Sequence, residues 1–132
     1  MNANAKAQTM APILLIEDEA SVSAFVRAAL QRKGYKVVQA SSGAEGLREL
    51  SAGEYGGVIS DIRMPGEING AQVHQWIRKN RPELSARIIL ISGDTANSGT
   101  QALLAESNTP CIEKPFRVQQ LISLVETTFG KP

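Results

Sequence analysis

Cysteine and histidine are almost absent, with Cys111 and His74 the single examples of each in 132 residues. One cysteine rules out an internal disulfide, and the two residues together cannot build a usual structural zinc cluster. A surplus of positive charge is missing as well. Fourteen Lys and Arg stand against 13 Asp and Glu, so no basic excess announces a nucleic-acid backbone or an anionic membrane as a direct partner. Long apolar runs are lacking too: the start, "MNANAKAQTMA", has no core of a secretory signal, and no later run approaches bilayer length. These absences argue against nucleic-acid and membrane binding and fit a reducing, cytoplasmic setting. What remains is ordinary globular composition, 42% hydrophobic and 20% charged. Residues 1–11 read as a loose tail and 12–130 as one domain, long enough to enclose a core.

Apolar runs of strand length recur at 12–16, 35–40, 57–60, 87–92 and, briefly, 111–112. Between them lie stretches of helical spacing. Val22, Phe25, Val26, Ala29 and Leu30 form one stripe, and Val118, Leu121, Ile122, Val125 and Phe129 another, both read as core-facing. Gly34 is placed to stop the first helix, Ser41 or Ser42 with Glu45 to cap the second, and Pro82 follows the third. Strands alternating with helices predict an α/β domain with a parallel sheet. "ILLI", "GGVIS" and "RIILIS" are continuously apolar, as central strands covered on both faces should be, whereas "YKVVQA" is mixed and "CIE" short. The second and fifth strands are then edges. The order is 2-1-3-4-5, doubly wound, with the ligand crevice beyond the carboxyl ends of strands one and three.

The stretch "ILLIEDE" drives a buried strand straight into Glu17, Asp18 and Glu19. Carboxylates ~5 Å apart at an effective dielectric of about 20 repel by roughly 3 kcal/mol, so either a cation sits there or the acids point apart into water. The other strand ends carry Asp61, Ser92 and Lys114, and all would converge at one mouth. Glu17, Asp18 and Asp61 form a set of hard oxygen ligands suited to Mg²⁺. With Lys114 and the dication, the formal charge of that site is about neutral.

The motifs "IEDE" at 16–19, "SDIRMPG" at 60–66, "ISGD" at 91–94 and "EKPF" at 113–116, in this order on these element ends, resemble the receiver domain of a two-component response regulator. The resemblance covers nearly all of the chain after the tail. It implies a flavodoxin-like (CheY-like) three-layer sandwich and a phosphoacceptor signalling domain that is a switch rather than an enzyme. Asp61 is similar to the phosphoacceptor, which takes a phosphoryl group from the phosphohistidine of a histidine kinase or a histidine phosphotransfer protein. Asp18 resembles the direct Mg²⁺ ligand, Glu17 the acid that helps hold the metal, often through water, and Arg63 the residue whose backbone carbonyl completes coordination. Ser92 and Lys114 resemble the hydroxyl and ammonium that bind phosphoryl oxygens, and Pro115 the proline that follows a cis peptide.

Other residues take blander readings. Glu19 is expected in the first turn of helix one, facing the helix dipole. His74 reads as a surface histidine and Trp76 as packing. Three positions before the site lysine, where the family commonly has an aromatic that reorients, stands Cys111, read as a small buried strand residue rather than a reactive thiol. The usual relay from Ser92 to that aromatic is therefore in doubt. Arg63 and Asp94, each two residues beyond a site residue, are expected to tune the phosphorylated lifetime. "EING" is one residue longer than the common loop, with Ile68 tucked inward, and Asn97, Ser98 and Gly99 begin the fourth helix with poor formers, so weak order is expected there. Output is expected through a partner surface or a larger parent chain, and "TPCIEKPF" is similar to receivers of hybrid histidine kinases.

Two other functions compete. A Mg²⁺-dependent phosphohydrolase would use acids at the same strand ends, but the acid that such aspartyl-phosphate enzymes generally carry two residues after the nucleophile is Arg63 here. A flavodoxin-like cofactor binder would need hydroxyls and amides after strand one, where "EDEA" offers repulsive carboxylates.

Overall fold

In a computed structural model of the chain, the described residues are 10–64, 66, 68–93 and 98–132. Expectations for residues 1–9, for Pro65 and Glu67 around "MPGE", for Asp94 and for Asn97 lie outside them. The strands are β1 (Ile13–Ile16), β2 (Val37–Ala40), β3 (Gly57–Asp61), β4 (Ile88–Ser92) and β5 (Cys111–Glu113). The helices are α1 (Ala20–Arg32), α2 (Gly43–Ala52), α3 (Gly70–Asn80), α4 (Ser98–Ser107) and α5 (Val118–Phe129), with a 3₁₀ turn at Pro82–Leu84. All neighbouring strands pair in parallel, in the order β2-β1-β3-β4-β5.

The continuous apolar runs are explained by this order. Successive side chains of a strand point to opposite faces, so Ile13 and Leu15 enter a core with α1 and α5, while Leu14 and Ile16 enter a second core with α2 and α3. Each central strand is then apolar on both faces until it nears its carboxyl end, where Ser60, Asp61 and Ser92 stand. The helices start where the local chemistry directs. The Ser42 hydroxyl accepts from the Glu45 N–H at 3.1 Å, and Asn69 and Gln72 bond reciprocally as a capping box at the head of α3. Gly34 ends α1 at φ +99°, a conformation that favours glycine. Gly70 marks a close approach: a Cβ there would lie 2.4 Å from the carbonyl oxygen of Asp61.

Several local expectations change. Phe25 and Val118 lie at the edges of their stripes and are 42% and 40% exposed, because each helix needs only a narrow side to cover the sheet. Phe25 instead meets Phe116, ring centroids 5.9 Å apart. His74 is not on the surface. It is 2% exposed and its Nε2 lies 3.0 Å from the Thr109 hydroxyl; burial holds its pKa below the usual 6.5, with the Arg78 charge a lesser cause. Met10, assigned to the tail, packs partly buried against the core beside α1 and α5. Trp76, Ile68 and the half-buried Cys111 all pack against the second core, as packing residues should. No helix among the described residues is long and apolar enough to cross a membrane.

Candidate functional site

Strand register assembles the site. Ile16 pairs with Ser60, so the next residue on each strand, Glu17 and Asp61, come level at the carboxyl end of the sheet. Further along, Ser92 pairs with Glu113, and the Lys114 N–H donates to the Ser92 carbonyl at 2.8 Å. The peptide between Lys114 and Pro115 is cis. The pairing of β5 with β4 brings Lys114 to the same mouth, and its ammonium reaches Asp61 Oδ2 at 2.8 Å and Glu19 Oε1 at 2.8 Å, with Glu17 Oε1 at 3.4 Å. On the other side of Asp61 the Arg63 N–H donates to Oδ1 at 3.3 Å.

The electrostatics are unequal within this group. Glu17 has a fully buried side chain, and among the described residues its Oε1 has no hydrogen-bond partner. The Lys114 ammonium attracts it without an aligned bond. Burial, and after it the nearby Asp61 charge, push the Glu17 pKa up to about 7, against the pull of the Glu19 N–H, which donates to Oε2 at 3.1 Å, and of Lys114. For Lys114, burial opposes the charged form, but hydrogen bonds to Asp61 and Glu19 outweigh it and hold the ammonium protonated well above the usual lysine range. A buried carboxylate oxygen left without a bond, beside a second buried carboxylate, fits a cation of hard character. Carboxylate oxygens of Glu17, Glu19 and Asp61 all lie within 4.8 Å of one another.

Of the residues singled out in the sequence, Glu17, Asp61 and Lys114 are brought together, and Ser92 is fully buried at the end of β4. Asp18 is exposed and is not in the group of converging carboxylates; with Glu17, Ser41 and Glu45 it lines an adjoining cleft of ≈ 290 Å³. Glu19 takes a different part from the one expected. It stands at the N-cap of α1 rather than in its first turn, and it bonds Lys114 instead of facing the helix dipole. Nothing local in the sequence reveals that contact, since the partners are 95 positions apart. Cys111 sits two strand positions before the end of β5, and burial, before the charges of Glu113 and Asp61, raises its pKa, which disfavours a reactive thiolate.

The comparisons with known proteins decide between an isolated acid site and a family. Residues 13–126 match the response regulator receiver domain. The chain belongs to that family. Receiver domains are phosphoacceptor modules of two-component signalling, which is the general activity this membership gives. The receiver is 35% identical over 123 residues to the sensor kinase CckA of Brucella abortus, covering 92% of this chain and 13% of that protein. It is 39% identical over 118 residues to the transcriptional regulatory protein GlrR of Escherichia coli, covering 88% of this chain and 26% of that one. The chain thus spans a minor part of these curated relatives. Among solved structures, the response regulator TrrA of Thermotoga maritima, solved in complex with Mg²⁺ and BeF, is similar with a TM-score of 0.77 and 32% identity over 90% of this chain and 99% of that one. A receiver domain from Methanospirillum hungatei shares the fold with a TM-score of 0.82 at 20% identity, over 92% and 94% of the two chains.

Proposed function

We propose that Asp61 is the phosphoacceptor of this receiver, charged by a phosphohistidine on a histidine kinase or histidine phosphotransfer protein. The observation that carries the reading is the placement of Asp61: a carboxylate 4% exposed at the end of a central strand, with the Lys114 ammonium 2.8 Å from one oxygen. A carboxylate at neutral pH needs no general base. One Asp61 oxygen attacks phosphorus in line, the P–O bond forms as the P–N bond of phosphohistidine breaks, and the electron pair leaves with the donor imidazole. Lys114 is close enough to follow the phosphoryl oxygens as their charge is redistributed, and the Ser92 hydroxyl lies at the neighbouring strand end for the same use.

Glu17, Asp18, Asp61 and the Arg63 backbone carbonyl are the groups that would hold Mg²⁺. When bound, the cation neutralises negative charge on the phosphoryl group and on the acids around it. The fit rests on the buried, unbonded Oε1 of Glu17. The receiver takes one phosphoryl group, holds it and loses it to water, so it acts as a switch on a partner protein rather than as a turnover enzyme. A cytoplasmic setting follows from its donors, and a parent hybrid kinase is one context in which such a module would serve.

The test is intact mass after incubation with a small acyl-phosphate donor. A single phosphoryl adduct is expected with Mg²⁺ present, lost with chelator and lost in Asp61→Asn. Steady release of many phosphates from an ordinary monoester, or an adduct that survives Asp61→Asn, overturns the assignment.

A further inference from the structure

Glu19 occupies the N-cap of α1 in an extended conformation, φ −86° and ψ 113°, yet its carboxylate makes no capping hydrogen bond. An acid at a helix start ordinarily turns back onto the free N–H groups of the first turn. This one turns outward to Lys114, while its own N–H holds Glu17 Oε2. One residue therefore touches both the buried acid and the lysine of the site.

The three carboxylates around the ammonium differ in exposure, with side chains 0% exposed for Glu17, 5% for Asp61 and 56% for Glu19. A cation held by the two buried acids would repel the ammonium, and the carboxylate then left to it would be the exposed one. We propose that Glu19 is a positioning residue for Lys114, keeping its ammonium at the rim of the site when Glu17 and Asp61 take up Mg²⁺. This inference rests on the reading of the site given above. Without Glu19 the displaced ammonium loses the one carboxylate near it, among the described residues, that the cation does not take, and cation binding becomes less favourable. Because an exposed ion pair adds little to fold stability, the effect of Glu19 lies in where the ammonium goes.

The experiment is a calorimetric Mg²⁺ titration of the full chain, comparing wild type with Glu19→Asp and Glu19→Gln, each also in a Lys114→Met background. Aspartate keeps the charge and caps helices well, but is one methylene shorter. Both variants are expected to bind Mg²⁺ about threefold more weakly, the scale of an exposed ion pair, and the loss is expected to vanish without Lys114. Wild-type affinity in Glu19→Asp overturns the proposal, because charge alone would then suffice. So does a loss that persists undiminished in Lys114→Met, the mark of a carboxylate acting on the cation directly. A wild type that takes no Mg²⁺ overturns the reading of the site and this inference with it; a wild type that binds while all Glu19 variants match it overturns this inference alone.

Discussion

Glu17 and His74 are both ionisable and both 2% exposed, yet their surroundings are opposite. The imidazole of His74 meets the Thr109 hydroxyl at 3.0 Å between α3 and the segment before β5. Glu17 keeps one oxygen without a hydrogen bond among the described residues, at the mouth of the sheet beside a second acid and an ammonium. Burial alone therefore does not mark a functional group. What separates the two is whether the fold itself completes the polar atom or leaves that to something else.

Their proton equilibria run in opposite directions for the same reason. The folded chain holds the Glu17 proton up to about 7, the unfolded chain only to about 4.5. The stability linked to Glu17 is thus present in full below the lower value and lost as pH rises through the upper one. His74 is held below its ordinary 6.5 in the folded protein, so its contribution is present in full above that value and is lost as pH falls beneath it.

The largest effect expected from this contrast belongs to Glu17→Gln. Without metal at pH 8, the amide should raise stability over wild type by roughly 2–3 kcal/mol, falling under about 1 kcal/mol at pH 5. Urea denaturation with chelator present measures it. Excess Mg²⁺ should in turn stabilise wild type, by about 2.7 kcal/mol at a hundredfold excess over Kd, and the variant less. Equal stability of the two proteins at pH 8 would mean that Glu17 is completed by the fold after all. Next in size, His74→Ala should cost about 2 kcal/mol through the lost packing and the lost hydrogen bond to Thr109, while the Asp61 adduct still forms in full yield by intact mass. Loss of the adduct in a folded variant would break the contrast, since His74 would then serve the site. The smallest effect is a slope: in the Glu17→Gln background, stability should decline below pH 6.5 by at most about 1 kcal/mol per pH unit, and His74→Gln should flatten it. In wild type the two groups oppose each other between 4.5 and 6.5, which is why the slope is sought in the variant.

Much of this is legible in the amino-acid sequence itself. Strand order follows from "ILLI", "GGVIS" and "RIILIS", because only strands covered on both faces need to be apolar throughout. The convergence of Glu17, Asp61 and Lys114 follows from that order, since parallel strands end on one side. His74 was misread although a signal existed: Val73, His74 and Ile77 share one face of a helix, and all three are buried. A polar residue type outweighed its spacing. The contact of Glu19 with Lys114 had no such signal, because it depends on how the loop after β5 returns over the mouth. The exposure of Asp18 is of the same kind, as adjacent residues leaving a strand face different ways and only the turn decides which.

The bare α-carbon at Gly70 fixes how α3 and β3 share a load. A methyl group there would overlap the Asp61 carbonyl, and the Gly70 N–H is already bonded to Ile62 at 2.9 Å. The head of the helix therefore rests on the Asp61 peptide with no side chain as a cushion between them. Close-packed interiors yield little under displacement, so a shift of that peptide is passed to the helix as a push on a rod rather than absorbed as in a spring. At its second turn the same rod is pinned by His74 to the approach of β5, the strand that leads back to Lys114.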